Sequence, residues 1–133
     1  MKIILLVIYN FMIKKTNNIK PLKKILNFIN NKYKIEILYY LMPKKMRFGE
    51  IKENIENITQ QLLTKQLREL EKNSLIERKK HDGFPRKVEY SLTPFGISIS
   101  PIIILMIKWE KENARKINSV VKKNSLDSVF DYY

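Results

Sequence analysis

The sequence predicts a mainly α-helical (α+β) fold, a winged helix-turn-helix. Apolar residues recur at helical spacing in four successive segments between residues 21 and 72. Two segments with strand-like alternation then flank the turn-like stretch "HDGFP", residues 81–85. A long helical segment follows from Thr93-Pro94, a typical N-cap with proline at the first helical position. Ser100-Pro101 marks either a kink or a second start within it. This order of elements is that of a helix-turn-helix followed by a β-hairpin.

The chain opens with an apolar stretch, "MKIILLVIYNFMIKK". Its apolar run ends by Ile13, whereas a membrane-spanning helix needs about 20 apolar residues, so we expect no membrane span. No small-residue cleavage site follows, and we expect a cytoplasmic protein. We interpret the stretch as an apolar helix that packs against the domain or a second subunit. An interfacial membrane anchor is the alternative.

Three shorter helices and a strand are expected next. Helical stripes are formed by Leu22, Ile25, Leu26 and Ile29 after Pro21, and by Ile35, Leu38, Tyr39 and Met42 before Pro43. The basic segment "PKKMRF" is short enough for one edge strand. A third stripe, Phe48, Ile51 and Ile55, predicts a short helix that ends near Asn54 or Asn57.

The fourth helix is predicted from Gln60 to about Lys72, with Thr59 as its N-cap. On a helical wheel its apolar residues fall within an arc of roughly 140°: Leu62, Leu63, Leu67 and Leu70. Three cations and one amide lie together within an arc of about 60° on another side of the helix: Gln61, Lys65, Arg68 and Lys72, with Thr64 next to them. Glu69 and Glu71 lie outside that cluster. Such segregation suits a surface that meets phosphates and base edges.

The residue types fit the reading of DNA. Gln can bond adenine, Arg or Lys can bond guanine, and Thr can touch a thymine methyl group. The first residues of a recognition helix reach deepest, so the base-reading candidates are Gln60, Gln61, Thr64 and Lys65. Arg68 and Lys72 are expected to hold phosphates. A solvated helix face is the alternative interpretation.

The predicted hairpin carries further cations. The segments "LIERKK" and "RKVEYSL" are expected to pair as strands, with Gly83 and Pro85 in the turn between them. Candidates for contacts with the adjacent backbone or minor groove are Lys79, Lys80, Arg86 and Lys87. Weaker phosphate candidates are Lys44, Lys45 and Arg47. A merely soluble hairpin is the alternative, and we assign His81 no role.

Composition narrows the function classes. The 133 residues include no cysteine and one histidine, so thiol chemistry is excluded and a metal site has too few ligands. With three glycines, and no paired buried carboxylates or nucleophile-base pair, we expect no cofactor and no enzyme. The net charge of +13 favours a polyanionic partner. A general enrichment in lysine also contributes to this charge.

Several motifs together resemble the HxlR-type winged helix-turn-helix transcriptional regulators. The segment Arg47 to Ile51 is similar to the family's Arg-Phe-x-Glu-Leu. The family's recognition-helix pattern matches Leu63, Leu67, Leu70 and Glu71. Its wing-strand pattern matches Pro85, Val88, Glu89, Tyr90, Leu92, Thr93 and Gly96, and its terminal helix matches Pro101 and Trp109. The resemblance runs from about Pro21 to Trp109.

The resemblance implies a homodimeric DNA-binding regulator with N- and C-terminal dimerisation helices. The dimer-interface candidates form one stripe at helical spacing: Ile102, Leu105, Met106 and Trp109. A helix buried within one subunit explains the same stripe. Many relatives carry a cysteine before the proline of the first conserved helix, where this chain has Lys20, so thiol-based sensing is not carried over.

We therefore expect one winged helix domain, residues 1–133. Its expected parts are an apolar arm (1–20), DNA-binding helices and wing (21–93), a C-terminal dimerisation helix (94–120) and a tail (121–133).

The expected function is that of a sequence-specific transcription factor that binds double-stranded DNA as a homodimer. A non-specific nucleic-acid-coating protein is the first alternative, and a peripheral membrane-surface protein docking through residues 1–15 is the second. An apolar dimer seam could also hold a small-molecule effector, which the sequence does not identify.

Overall fold

In the computed structural model, which describes residues 1–16 and 19–130, helices surround a small antiparallel sheet. The helices before the sheet hairpin are α1 (Lys2–Thr16), α2 (Lys20–Phe28), α3 (Lys32–Leu41), α4 (Phe48–Asn54) and α5 (Gln60–Lys72). The strands are β1 (Met46–Arg47), β2 (Ile76–Lys80) and β3 (Val88–Leu92). The chain continues through α6 (Pro94–Ser98), α7 (Ser100–Glu112) and α8 (Ala114–Phe130). The mainly α winged helix-turn-helix prediction is confirmed.

The three strands pair antiparallel in the order β1-β3-β2. Strands β2 and β3, with residues 81–87 between them, form the hairpin that we call the wing. The register places Arg78 opposite Tyr90 and Lys80 opposite Val88. Strand β1 lies at the edge of the sheet, where Met46 pairs with Tyr90, as the short basic segment predicted.

Side-chain caps fix where the helices begin. The Thr59 hydroxyl accepts a hydrogen bond of 3.1 Å from the Leu62 amide and starts α5. The Thr93 hydroxyl accepts one of 3.0 Å from the Gly96 amide and starts α6, with Pro94 in its first turn. Both N-caps expected from the sequence are confirmed.

The core lies between α3, α4, α5, the sheet and one face of α7. Its fully buried apolar side chains are Ile37, Leu38, Ile51, Leu63, Leu67, Leu70, Leu75, Ile76 and Ile103. Two details differ from the helical stripes. Tyr39 is 44% exposed, because α3 turns Ile37 and Leu41 inward instead. Leu62 is only half-buried, while the polar Gln66 is buried among the leucines of α5.

The start of α6 lies tightly against the turn that follows α5. The Thr93 hydroxyl donates a hydrogen bond of 2.6 Å to the Ser74 carbonyl oxygen, and the Thr93 amide donates one of 3.1 Å to the Leu75 carbonyl oxygen. A Cβ atom at Gly96 would lie 2.0 Å from that same Leu75 oxygen. Only glycine permits this approach, which fixes the C-terminal helices to the end of α5.

The helical segment expected over residues 94–120, with a kink or a second start at Ser100-Pro101, is divided into α6, α7 and α8. Ser100-Pro101 marks a second start, because α6 ends at Ser98 and α7 begins with proline in its first turn. The expected tail, residues 121–133, is helical as far as Phe130. The last three residues lie outside the described residues.

Helix α1 leaves its described side chains exposed on the single subunit. Every described side chain from Met1 to Lys14 is exposed. Of the two alternatives for α1, these exposed side chains favour packing on a second subunit, which stays a prediction. Residues 17 and 18 of the expected arm lie outside the described residues. Among the described helices, none combines the length and apolar character needed to cross a membrane.

Candidate nucleic-acid interface

The outward face of α5 carries the side chains that the sequence singled out. Five of these side chains are exposed: Gln60, Gln61, Lys65, Arg68 and Lys72. Thr64 is half-buried beside them. The Thr64 hydroxyl donates a hydrogen bond of 2.8 Å to the Gln60 carbonyl oxygen within the helix. With its hydroxyl engaged in this way, Thr64 offers its methyl group to a partner.

Part of this face borders a groove between α5 and the sheet. The groove has a volume of about 440 Å³ and is lined by Phe48, Gln60, Thr64, Leu67, Arg68, Glu71, Arg78, Val88 and Tyr90. A shallower depression adjoins it, lined by Thr59, Gln60, Gln61, Thr64 and Arg68. The structure thus brings Gln60, Gln61, Thr64 and Arg68 onto one concave surface, which we call the α5 groove. Lys65 and Lys72 line neither part.

The two acidic residues near this face behave differently from each other. Glu71 lines the α5 groove together with Arg68 and Arg78, so the expectation that it lies apart from the basic residues is wrong. Its position on the wheel is close to those of Gln60 and Thr64. Glu69 instead turns towards α3, where its Oε2 atom lies 2.6 Å from Lys34 Nζ. This interaction draws one negative charge towards α3.

The hydrogen bond from Lys34 holds the pKa of the Glu69 carboxyl below its usual range. The nearby charges of Lys65 and Lys72 act in the same direction, while burial opposes them. Glu69 is therefore ionised at neutral pH.

Arg78 is a groove residue that the sequence analysis missed. Because side chains alternate along a strand, Arg78 and Lys80 share the sheet face of their partners Tyr90 and Val88, which line the α5 groove. Lys79 pairs with Glu89 and lies on the opposite face. The alternation in "LIERKK" was the available signal, since Ile76 is buried on the same face as Arg78.

The tip of the wing projects into solvent. Residues 82–87 are all exposed, including Arg86 and Lys87, and Gly83 adopts a φ of 121° that favours glycine. The His81 amide donates a hydrogen bond of 2.8 Å to the Lys87 carbonyl oxygen and closes the loop. Arg86 and Lys87 are therefore exposed on a loop whose two ends are joined by a backbone hydrogen bond.

On the opposite face of the sheet, the carboxylate of Glu89 partly neutralises the positive charge. Glu89 Oε2 lies 3.5 Å from Lys45 Nζ, and Glu89 Oε1 lies 2.9 Å from His81 Nε2, although the latter geometry forms no hydrogen bond. Among the described residues, Lys45 thus has a carboxylate partner, whereas Arg68 and Arg78 form no ion pair. Lys79 stands opposite Glu89 in the strand register, on this same face of the sheet.

The proposed dimer residues face away from the subunit core. Ile102, Leu105, Met106 and Trp109 are 47–63% exposed, whereas Ile103 of the same helix is buried. The alternative that this stripe is buried within one subunit is therefore wrong. Three apolar side chains of α2 are also exposed: Leu22, Ile25 and Leu26. Such a concentration of exposed apolar area is typical of an interaction surface.

Comparison with known proteins agrees with this geometry. A family model described as HxlR-like helix-turn-helix matches residues 28–118. The uncharacterized HTH-type transcriptional regulator YdeP of Bacillus subtilis (strain 168) is 40% identical over 100 residues, covering 75% of this chain and 78% of that protein. The similar regulator YybR of the same organism is 38% identical over 99 residues, covering 74% and 79%.

Solved structures are similar as well. The redox regulator HypR in its reduced form superposes with a TM-score of 0.72 at 38% identity, over 74% of this chain and 98% of that one. The reduced form of the transcriptional regulator YodB from B. subtilis gives a TM-score of 0.62 at 31% identity, over 68% and 88%.

Proposed function

Because the chain belongs to the HxlR-like helix-turn-helix family of DNA-binding transcriptional regulators, we propose that it binds a specific duplex sequence as a homodimer. The observation that carries this proposal is the α5 groove. It combines two amides, a threonine methyl group and an arginine on one concave surface. Non-specific coating of nucleic acid needs positive charge but no such amides, so the groove favours sequence-specific binding.

Helix α5 is proposed to enter the major groove. Its first turn carries Gln60 and Gln61, whose amides can form paired hydrogen bonds with adenine, and Thr64 can contact a thymine methyl group. Lys65 is the further base-reading candidate, since it is exposed on the same side of the helix. Arg68 and Lys72, nearer the C-terminal end, are proposed to bind phosphates.

The wing is proposed to contact the adjacent backbone or minor groove. Lys80 lies on the sheet face that borders the α5 groove, and Arg86 and Lys87 stand at the exposed end of the hairpin. We add Arg78 to the phosphate-binding residues, since it lines the groove together with Arg68. Lys79 is the weakest of the original wing candidates, because it lies on the other face of the sheet, opposite Glu89 in the strand register.

The apolar surfaces of α1, α2 and α7 are proposed to form the homodimer interface. Within the described part of the chain, these helices leave large aliphatic and aromatic side chains in solvent on a single subunit. Covering them with a second copy removes that apolar area from water. A two-fold dimer then presents two α5 helices to a pseudo-palindromic site.

The proposal is tested by selecting duplexes from a random pool with the purified full-length chain at fixed salt. We expect enrichment of a pseudo-palindrome whose half-sites lie about one or two helical turns apart. Binding of the enriched duplex is then compared with that of a scrambled duplex of equal length and composition. Equal affinity for both duplexes, with a steep salt dependence, would identify a non-specific coating protein instead.

A further inference from the structure

Lys34 is a charged side chain buried inside the protein, at 2% exposure. Its Nζ atom lies 2.6 Å from Glu69 Oε2 of α5 and donates a hydrogen bond of 3.0 Å to Asn30 Oδ1. Burying an ammonium group is costly unless it is paired and hydrogen-bonded, and both conditions are met here. The side chain reaches from α3 across to the helix that carries the α5 groove.

A second polar connection runs beside the first. Asn31 accepts a hydrogen bond of 3.0 Å from the Lys34 amide as the N-cap of α3. Its Nδ2 atom donates one of 2.9 Å to Oε1 of Gln66, which is itself 4% exposed. Gln66 and Glu69 are about one turn apart on α5. The turn between α2 and α3 is thus joined to α5 at two successive points.

Glu69 also has two other lysines within reach of its carboxylate. Lys65 precedes it by four residues and Lys72 follows it by three, the spacings at which opposite charges pair along a helix. Both lysines act electrostatically on Glu69. Among the described residues, however, the ion pair of Glu69 is formed with Lys34, and neither Lys65 nor Lys72 takes part in one.

We propose that Lys34 is a positioning residue that holds the Glu69 carboxylate away from Lys65 and Lys72, so that both cations stay available to DNA phosphates. The proposal rests on the function proposed above for α5. In the absence of Lys34, the carboxylate would turn outwards and pair with a neighbouring lysine on the helix. One negative charge would then lie on the DNA-binding face, and fewer counterions would be released when DNA binds.

Stability alone gives a weak reason for such a pair. Although Lys34 is buried, the Glu69 side chain is 39% exposed, and an ion pair that reaches solvent contributes little net stability. A methionine would fill the place of the Lys34 stem without a charge. The electrostatic effect on the neighbouring lysines therefore distinguishes the proposed role from simple packing.

The test compares Lys34→Met, Glu69→Gln and the double variant with the wild-type chain. Lys32→Met is the matched control, because it removes the same charge from an exposed position on the same helix. Dissociation constants for the selected duplex are measured by fluorescence anisotropy at several salt concentrations, and folding is checked by circular dichroism. We expect Lys34→Met to bind roughly tenfold more weakly than Lys32→Met, a coupling typical of residues in one network. Its salt slope should fall by about 0.9 for each lysine neutralised.

The double variant decides the interpretation, including the case in which Lys34→Met alone does not fold. In the double variant there is no carboxylate for residue 34 to hold away from Lys65 and Lys72. We therefore expect its dissociation constant to lie within about twofold of that of Lys32→Met, a much smaller difference than the roughly tenfold one expected for Lys34→Met. If the double variant folds but stays as weak as Lys34→Met, or if Lys34→Met binds like Lys32→Met, the proposed role is wrong. If the wild-type chain itself binds no duplex, the proposed function fails, and this inference fails with it.

Discussion

Arg68 of α5 and Arg78 of β2 line the same groove, although they come from two different elements of the fold. Helix α5 and the wing therefore each place one arginine on the same continuous surface. If α5 enters the major groove as proposed, the same duplex would also meet the first strand of the wing.

Arg68→Ala and Arg78→Ala should each weaken binding to all duplexes to a similar degree. Because each removes a proposed phosphate contact, the slope of log K against log salt should fall by about 0.9. Fluorescence anisotropy at several salt concentrations measures both effects. Lys79→Ala is the control, since Lys79 lies on the opposite face of β2 and should change the slope less. An equal effect of all three substitutions would contradict the assignment of faces.

Gln61→Ala should alter sequence preference while leaving the salt slope unchanged. The loss of paired hydrogen bonds to one base should cost about 1–3 kcal/mol at particular base pairs. Competition binding with single-base variants of the selected duplex locates those positions. Arg68→Ala serves as the comparison, because its effect should be uniform across the variants. An unchanged preference in Gln61→Ala would show that another residue reads the bases.

Leu105→Lys should shift the chain from dimer towards monomer, because it places a charge in the exposed apolar stripe of α7. Sedimentation velocity at several protein concentrations measures the change. Ile104→Lys is the matched control on the same helix: Ile104 is also exposed but lies about 100° from Leu105 around the helix axis, outside the apolar stripe. Dissociation by Ile104→Lys and not by Leu105→Lys would place the interface on another face of α7.

The ion pair between Glu69 and Lys34 should make stability depend on pH in the acidic range. Lys34 lowers the pKa of the folded Glu69 carboxyl, so the stabilisation is fully present above the ordinary range near pH 4.3. It is lost as the pH falls through the lowered folded pKa.

Thermal unfolding of the wild-type chain and Glu69→Gln should therefore differ most near neutral pH and converge in acid. Glu53→Gln, an exposed position on α4, is the control and should show little difference at any pH. A difference between wild type and Glu69→Gln that does not change with pH would exclude a contribution from ionisation.

Gly96→Ala should destabilise the fold by about 1–3 kcal/mol, because its Cβ would collide with backbone. The nearest atom is the Leu75 carbonyl oxygen, at 2.0 Å. Gly49→Ala is the control: it meets nothing within 4 Å and should be neutral or stabilise α4 by about 0.5–1 kcal/mol. Urea unfolding at a fixed protein concentration gives both free energies. Equal stability of the two variants would mean that the junction at Leu75 yields easily.

The elements of the fold could be predicted from short-range patterns. Thr59 and Thr93 mark helix starts through a local hydrogen bond, and the bounds of α5 and the wing strands follow from local periodicity. The base-reading candidates were accessible for the same reason, since they share one side of a single helix. Such features can be predicted from one sequence because the interacting groups are only a few residues apart in the chain.

The features that escaped prediction depend on contacts between distant segments. Local patterns do not distinguish Lys34 from the other lysines of the chain, and only the packing of α3 on α5 pairs it with Glu69, 35 residues away in sequence. The burial of Gln66 depends on Asn31, also 35 residues away. The position of Arg78 could have been inferred from strand alternation, but its place beside Arg68 required the docking of the sheet on α5.

The close approach of Gly96 to Leu75 bears on how regulators of this shape diversify. That contact fixes α6 to the end of α5, while the part of the proposed dimer interface that α7 carries comes later in the chain. Substitutions in the first turn of α5 would then change which bases are preferred, and substitutions along α7 would change how far apart the two half-sites lie. The base sequence of the half-sites and the distance between them could therefore change independently during evolution.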